Sequence, residues 1–144
     1  MSAIRGTENQ TERALRSTLH RLGLRFRKYA PDLLGRPDII FRAQRVAVFV
    51  DGDYWHGRVF QERGLPALRA SIRKQETQNY WLAKLQRTVA RDREVTRGLR
   101  SQGWLVMRLW ESETKRNLSS IAQRIAKAVR RRSTSQRTRN GPRS

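Results

Sequence analysis

The chain predicts an α/β fold, a mixed central sheet with helices packed against it. Three observations carry this. Two short runs, Ile39–Phe41 and Val46–Val50, are apolar throughout and rich in β-branched and aromatic residues, as strands covered on both faces are. Three longer stretches instead repeat their apolar residues at helical spacing. In chain order the elements read helix, strands, helix, strand, helix, with no internal repeat. A length of 144 residues suits one domain with a core of its own.

After a loose lead over residues 1–6, Thr7-Glu8-Asn9-Gln10 has the form of a capping box. Leu15, Leu19 and Leu22 follow at helical spacing, so a helix is expected from Glu8 to Arg21, closed by Gly23. His20, near its C-terminus, reads as structural. Leu24–Tyr29 alternates like a strand and is charged enough to sit at a sheet edge. Pro31–Gly35 is a loop, and Pro37 can only open a strand. The two apolar runs, joined by Arg42–Arg45, then form a hairpin.

Gly57–Lys74, broken by Gly64 and Pro66 and rich in arginine, is expected to be irregular, mobile and suited to gripping phosphates. Gln75–Gln102 is a helix with Trp81, Leu85, Val89 and Leu99 inward, the stripe widened by Tyr80, Leu82 and Val95. Its polar face carries Lys84, Arg87, Arg91, Arg93 and Arg97 with Asp92 and Glu94. Trp104–Trp110 is a further strand ending in Glu111. Asn117 or Ser119 caps a last helix with Leu118, Ile121, Ile125, Ala128 and Val129 inward. From Arg130 to Ser144 arginines alternate with Ser, Thr, Gly and Pro, which reads as a disordered basic tail on a domain of residues 1–129.

Charge narrows the function. Lys and Arg number 32 against 12 Asp and Glu, a net +20, so the partner is a polyanion. With no long apolar span and no signal-peptide pattern, nucleic acid fits better than a membrane, and a cytoplasmic setting is expected. The absence of cysteine excludes disulfides and cysteine-ligated zinc.

The hairpin gathers the chemistry. A reversal centred near Gln44–Arg45 would place Asp38 opposite Asp51, roughly 5 Å apart at Cβ, a span one divalent cation can bridge. Asp53, Tyr54, Trp55 and His56 follow at once. Phosphodiester hydrolysis calls for a hard cation held by one or two carboxylates and for a group that moves a proton near neutral pH. Asp38 and Asp51 answer the first need and His56 the second, while Tyr54 and Trp55 can stack on bases. Each also has a plainer reading: a turn at Asp51-Gly52, a core aromatic at Trp55, a cap at His56. Glu12 is either a surface acid at a helix start or a third carboxylate facing the hairpin.

GRPDIIF, VFVDGDYWH, YWLAKLQRTVARDRE and GWLVMRLWE, in that order between Thr7 and Glu111, resemble the very-short-patch repair endonucleases, a branch of the PD-(D/E)xK nuclease superfamily. The resemblance implies a three-layer, restriction-endonuclease-like core that nicks double-stranded DNA with Mg²⁺ beside a G·T mismatch. It makes Asp38 the central metal ligand, with the backbone carbonyl of Val50 in the metal shell. His56 becomes the catalytic histidine, Glu12 and Asp92 the acids that assist it, and Asp51 a polar residue of the active site. Tyr54, Trp55 and Trp81 match aromatics that intercalate at the mismatch.

Well-known members also hold a structural zinc near this hairpin. Asp53, Arg58 and Ser112 stand near those ligand positions here, so no structural zinc is expected and the loop after His56 must be braced otherwise. Arg58, Arg63, Arg69, Arg73 and Lys74 are candidate contacts to the DNA backbone, and the protein is expected to act as a monomer. Two other readings stay open: a mobile-element or defence endonuclease cutting paired DNA, and a non-catalytic basic protein that binds nucleic acid.

Overall fold

The computed structural model describes residues 2–28, 30–53 and 75–139. Its elements are α1 (Ser2–Arg21), β1 (Arg27–Lys28), β2 (Ile39–Phe41), β3 (Val46–Asp51), α2 (Gln75–Ser101), β4 (Leu105–Trp110), α3 (Glu111–Arg116) and α4 (Leu118–Arg139). The strands form one sheet in the order β1-β2-β3-β4. The first two pairings are antiparallel and β3–β4 is parallel, so the sheet is mixed, as expected. A parallel pair needs a long crossover, and α2 lies within it.

Three layers result. On one face Leu15 and Leu19 of α1 and Ile121, Ile125 and Val129 of α4 cover Ile39, Phe41, Val46 and Val48. On the other, Val95 and Leu99 of α2 cover Ile40, Ala47, Phe49 and Val106. Burial on both sides is why β2 and β3 show no polar alternation. β1, exposed and charged, takes the edge.

The hairpin register differs from the expected one. Ile39 pairs with Val48, Ile40 with Ala47 and Phe41 with Val46. The link Arg42–Arg45 closes as a tight turn, with Arg45 N–H donating to the Arg42 carbonyl at 3.2 Å and Arg45 in the left-handed region at φ 56°. The reversal is therefore centred between Ala43 and Gln44, and one further step of this register puts Asp38 beside Phe49. Asp51 lies two residues beyond. A two-residue slip preserves the face, so Asp38 and Asp51 share the α2 side of the sheet without being directly opposed.

Other departures are local. α1 begins at Ser2, so Thr7–Gln10 lies inside the helix and is not its cap. In α2, Leu82, Leu85, Val89 and Leu99 are buried, but Tyr80 is 62% exposed and does not belong to the inward stripe. The short helix α3 gave no periodic apolar signal, and its one buried residue, Thr114, donates its hydroxyl to the Trp110 carbonyl at 2.9 Å.

The largest correction concerns the basic tail. α4 crosses residue 129 without a break and continues to Arg139, so the stretch expected to be disordered is helical that far. It is also docked. Arg132 donates to the Gly103 carbonyl at 2.9 Å, Arg130 to the Leu22 carbonyl at 3.3 Å, and Gln44 to the Ser133 hydroxyl at 3.1 Å. Truncation after Val129 should remove about three turns of helix from the circular-dichroism signal and lower the stability by about 1–2 kcal/mol. An unchanged melting temperature and an unchanged helical signal would return the segment to a disordered tail.

Candidate active site

The site begins at a tight corner. Gly35 (φ 76°) and Arg36 (φ 51°) turn the chain just before β2, and a Cβ on Gly35 would run into Cγ1 of Val95 on α2. Only glycine combines that dihedral with so close an approach. The start of β2 is thereby pressed against α2, with Asp38 next in line after the buried Pro37.

Asp38 is half-buried, and its Oδ2 accepts the Val50 N–H at 2.8 Å. Glu12 comes to it from α1. At 8% exposure Glu12 is buried rather than a surface acid, and it pairs with Arg16 one turn on at 3.6 Å. Glu12, Asp38, Val50, Asp51, Asp92 and Arg108 all line one cavity of about 680 Å³. Desolvation pushes the Asp38 carboxyl up to about 7, opposed by the Val50 N–H and reinforced by the charge of Glu12, a hydrogen bond with Glu12 and the charge of Asp51.

Arg108 was not singled out in the sequence. From the middle of β4 its Nη1 donates to both oxygens of Asp51, at 3.1 and 3.0 Å, and lies 3.7 Å from Asp92 Oδ1. Its Nε donates to the Thr96 hydroxyl at 2.8 Å, its Nη2 to the Asp92 carbonyl at 3.3 Å, and its guanidinium sits 4.1 Å from the centroid of the Phe49 ring. The signal was available: a charge inside an apolar strand covered by a helix must be paired.

Of the expected site residues, then, Glu12, Asp38, Val50, Asp51 and Asp92 converge. Trp81 does not line this cavity. It stands near the start of α2, about 16 Å along the helix axis from Asp92, with Tyr80 at 5.6 Å between ring centroids and the Lys84 amine 5.1 Å from its ring. Tyr54, Trp55, His56, Arg58, Arg63, Arg69, Arg73 and Lys74 lie outside the described residues. At the near edge of that segment Asp53 accepts from the Ser112 N–H at 3.0 Å and the Ser112 hydroxyl at 2.6 Å, tying the end of β3 to the start of α3.

Acids from a strand pair and from a helix on each side of a three-layer α/β core meet in one cavity, here on a strongly cationic chain. Comparison with known proteins specifies it further. Residues 1–62 match the family model "DNA mismatch endonuclease Vsr". Over 90% of its length the chain is 36% identical to the type II nicking enzyme V.NmeDIP of Neisseria meningitidis serogroup C, covering 83% of that protein. It is 43% identical to V.NaeI of Lentzea aerocolonigenes, over 78% of this chain and 66% of that one. With the DNA mismatch endonuclease Vsr of Escherichia coli it shares 33% identity over 77% of this chain and 66% of that protein. The chain belongs to the Vsr family and is a DNA endonuclease, so the non-catalytic reading falls.

Two consequences can be measured. An acid whose folded pKa lies near 7, against about 3.8 unfolded, holds its proton longer in the folded state, so stability declines as pH rises from about 4 to about 7 and then levels. Without divalent metal, Asp38→Asn should raise the melting temperature by about 3 °C or more at pH 8 and change it little at pH 4. A stabilisation equal at both pH values would refute that assignment. Arg108→Met, which removes the guanidinium that bonds both oxygens of the buried Asp51, should cost about 3 kcal/mol at pH 8 in urea unfolding. Combining it with Asp51→Asn should recover much of that loss.

Proposed function

We propose that this protein is a Mg²⁺-dependent endonuclease that nicks one strand of double-stranded DNA beside a G·T mismatch. The observation that carries the reading is the convergence of Glu12, Asp38, Asp51 and Asp92 on one cavity. The residues fit a hard cation. Asp38 is a desolvated carboxyl crowded by two other acids, and a dication would turn that repulsion into attraction. Mg²⁺ keeps one or two carboxylates and takes its remaining ligands from backbone, water and substrate.

Asp38, Asp51 and the Val50 carbonyl are the proposed ligands. Asp51 also accepts two hydrogen bonds from Arg108, which holds its carboxylate in the cavity. When bound, Mg²⁺ supplies the positive charge that a cleaving phosphodiester requires. His56, five residues beyond Asp51, is the proposed proton acceptor, with Glu12 and Asp92 orienting and holding protons around it. Tyr54, Trp55 and Trp81 are the proposed stacking groups at the mismatch, and Arg58, Arg63, Arg69, Arg73 and Lys74 the proposed grip on the backbone.

The test is strand cleavage. With Mg²⁺ the protein should nick a G·T-mismatched duplex and supercoiled plasmid, and Asp38→Ala should lower the rate at least about a thousandfold, some 4 kcal/mol of barrier. Equal rates on mismatched and fully paired duplex would move the protein to the defence or mobile-element reading. DNA binding without cleavage under any divalent metal would end the catalytic proposal.

A further inference from the structure

A second cavity, of about 560 Å³, adjoins the first and shares Asp51, Asp92 and Arg108 with it. Its other walls are different in kind. Arg93, Arg97 and Arg100 of α2 recur at one-turn spacing and so present three guanidinium groups on one helix face. Thr96 stands among them, and Trp110 of β4 adds an apolar ring to the lining. Like charges one turn apart repel, and none of the three arginines makes an ion pair or hydrogen bond among the described residues. All three are exposed. Arg108 lies on the boundary, its charge already engaged by Asp51.

We infer that this cavity binds a phosphate of the DNA strand, adjacent to the phosphate cleaved in the catalytic cavity. Charge supports it: three guanidinium groups without an ion pair among the described residues converge on a recess, and arginine's planar fork suits phosphate oxygens. Continuity supports it too. Because Asp51, Asp92 and Arg108 form a wall common to both cavities, a strand with one phosphate on the acid side carries a neighbouring phosphate toward the arginine side. The Trp110 ring suits the sugar or base between them. The inference rests on the endonuclease reading and names one more contact of that site with its substrate.

The test reads binding, not cleavage, and so separates the two proposals. In EDTA, fluorescence anisotropy would follow a G·T duplex carrying a single uncharged methylphosphonate, moved one linkage at a time. For the wild type, one or two linkage positions should weaken binding markedly. Arg93→Gln/Arg97→Gln should weaken binding of the unmodified duplex about tenfold, lower the slope of log K against log salt by about 2, and abolish the sensitivity at those linkages alone. Arg124→Gln/Lys127→Gln, which removes the same charge from the exposed side of α4, should leave that sensitivity in place. If the Arg93/Arg97 variant keeps the wild-type sensitivity at every linkage, the inference is wrong. It is equally wrong if inorganic phosphate or thymidine monophosphate binds saturably there while the linkage profile is unaltered, since the site would then serve a free anion. Failure to nick with any metal would count only against the catalytic proposal.

Discussion

The guanidinium of Arg108 decides how much negative charge the centre of this molecule can hold. Four acids face one cavity, and desolvation makes each additional ionised carboxylate there harder to keep. Arg108, wedged against Phe49 and fixed by Thr96, neutralises Asp51 and stands close to Asp92. Arg16 does the same for Glu12 from the opposite helix layer. Asp38 accepts the Val50 N–H and has acids around it, and its carboxyl is driven up. Burial and neighbouring acids thus leave the Asp38 carboxyl in demand of positive charge.

That crowding depends on backbone features well away from the acids. The corner at Gly35 brings the start of β2 against Val95, the four-residue link Arg42–Arg45 sets the register, and the parallel pairing of β3 with β4 puts Arg108 opposite Phe49. The Arg45 carbonyl also accepts the Leu105 N–H at 2.8 Å, so one turn both closes the hairpin and starts the β4 pairing. A one-residue slip of β2 against β3 would send Asp38 to the α1 side and dismantle the cavity.

How far the amino-acid sequence foretold this follows from the same physics. Continuous apolar runs marked β2 and β3 because burial on both faces leaves no polar positions, and periodic leucines marked α1 and α2. The shared face of Asp38 and Asp51 was legible, whereas their offset was not, since turn geometry and not hydrophobicity fixes the centre of a hairpin. Periodicity could not reveal α3, which buries only Thr114. Beyond Val129 the composition is that of a disordered tail, and the helix there is held by arginine contacts to the carbonyls of Leu22 and Gly103, groups distant in sequence. Arg108 was hidden for a related reason: a lone charge in a strand declares that it needs partners without saying which.

The positions where the family resemblance places zinc ligands show how a chain without cysteine can keep this centre. Asp53 receives two hydrogen bonds from Ser112 and caps α3 from outside the helix. Such a clasp contributes about 1–3 kcal/mol, far below the roughly 10 kcal/mol or more of a structural zinc site. The contacts that position the acids, however, run through α1, α2, β2, β3 and β4: Val50 to Asp38, Arg16 to Glu12, Arg108 to Asp51 and Asp92. None of these passes through Asp53 or Ser112. The cluster of acids is therefore anchored in the three-layer core, through the same helices and strands that carry its side chains.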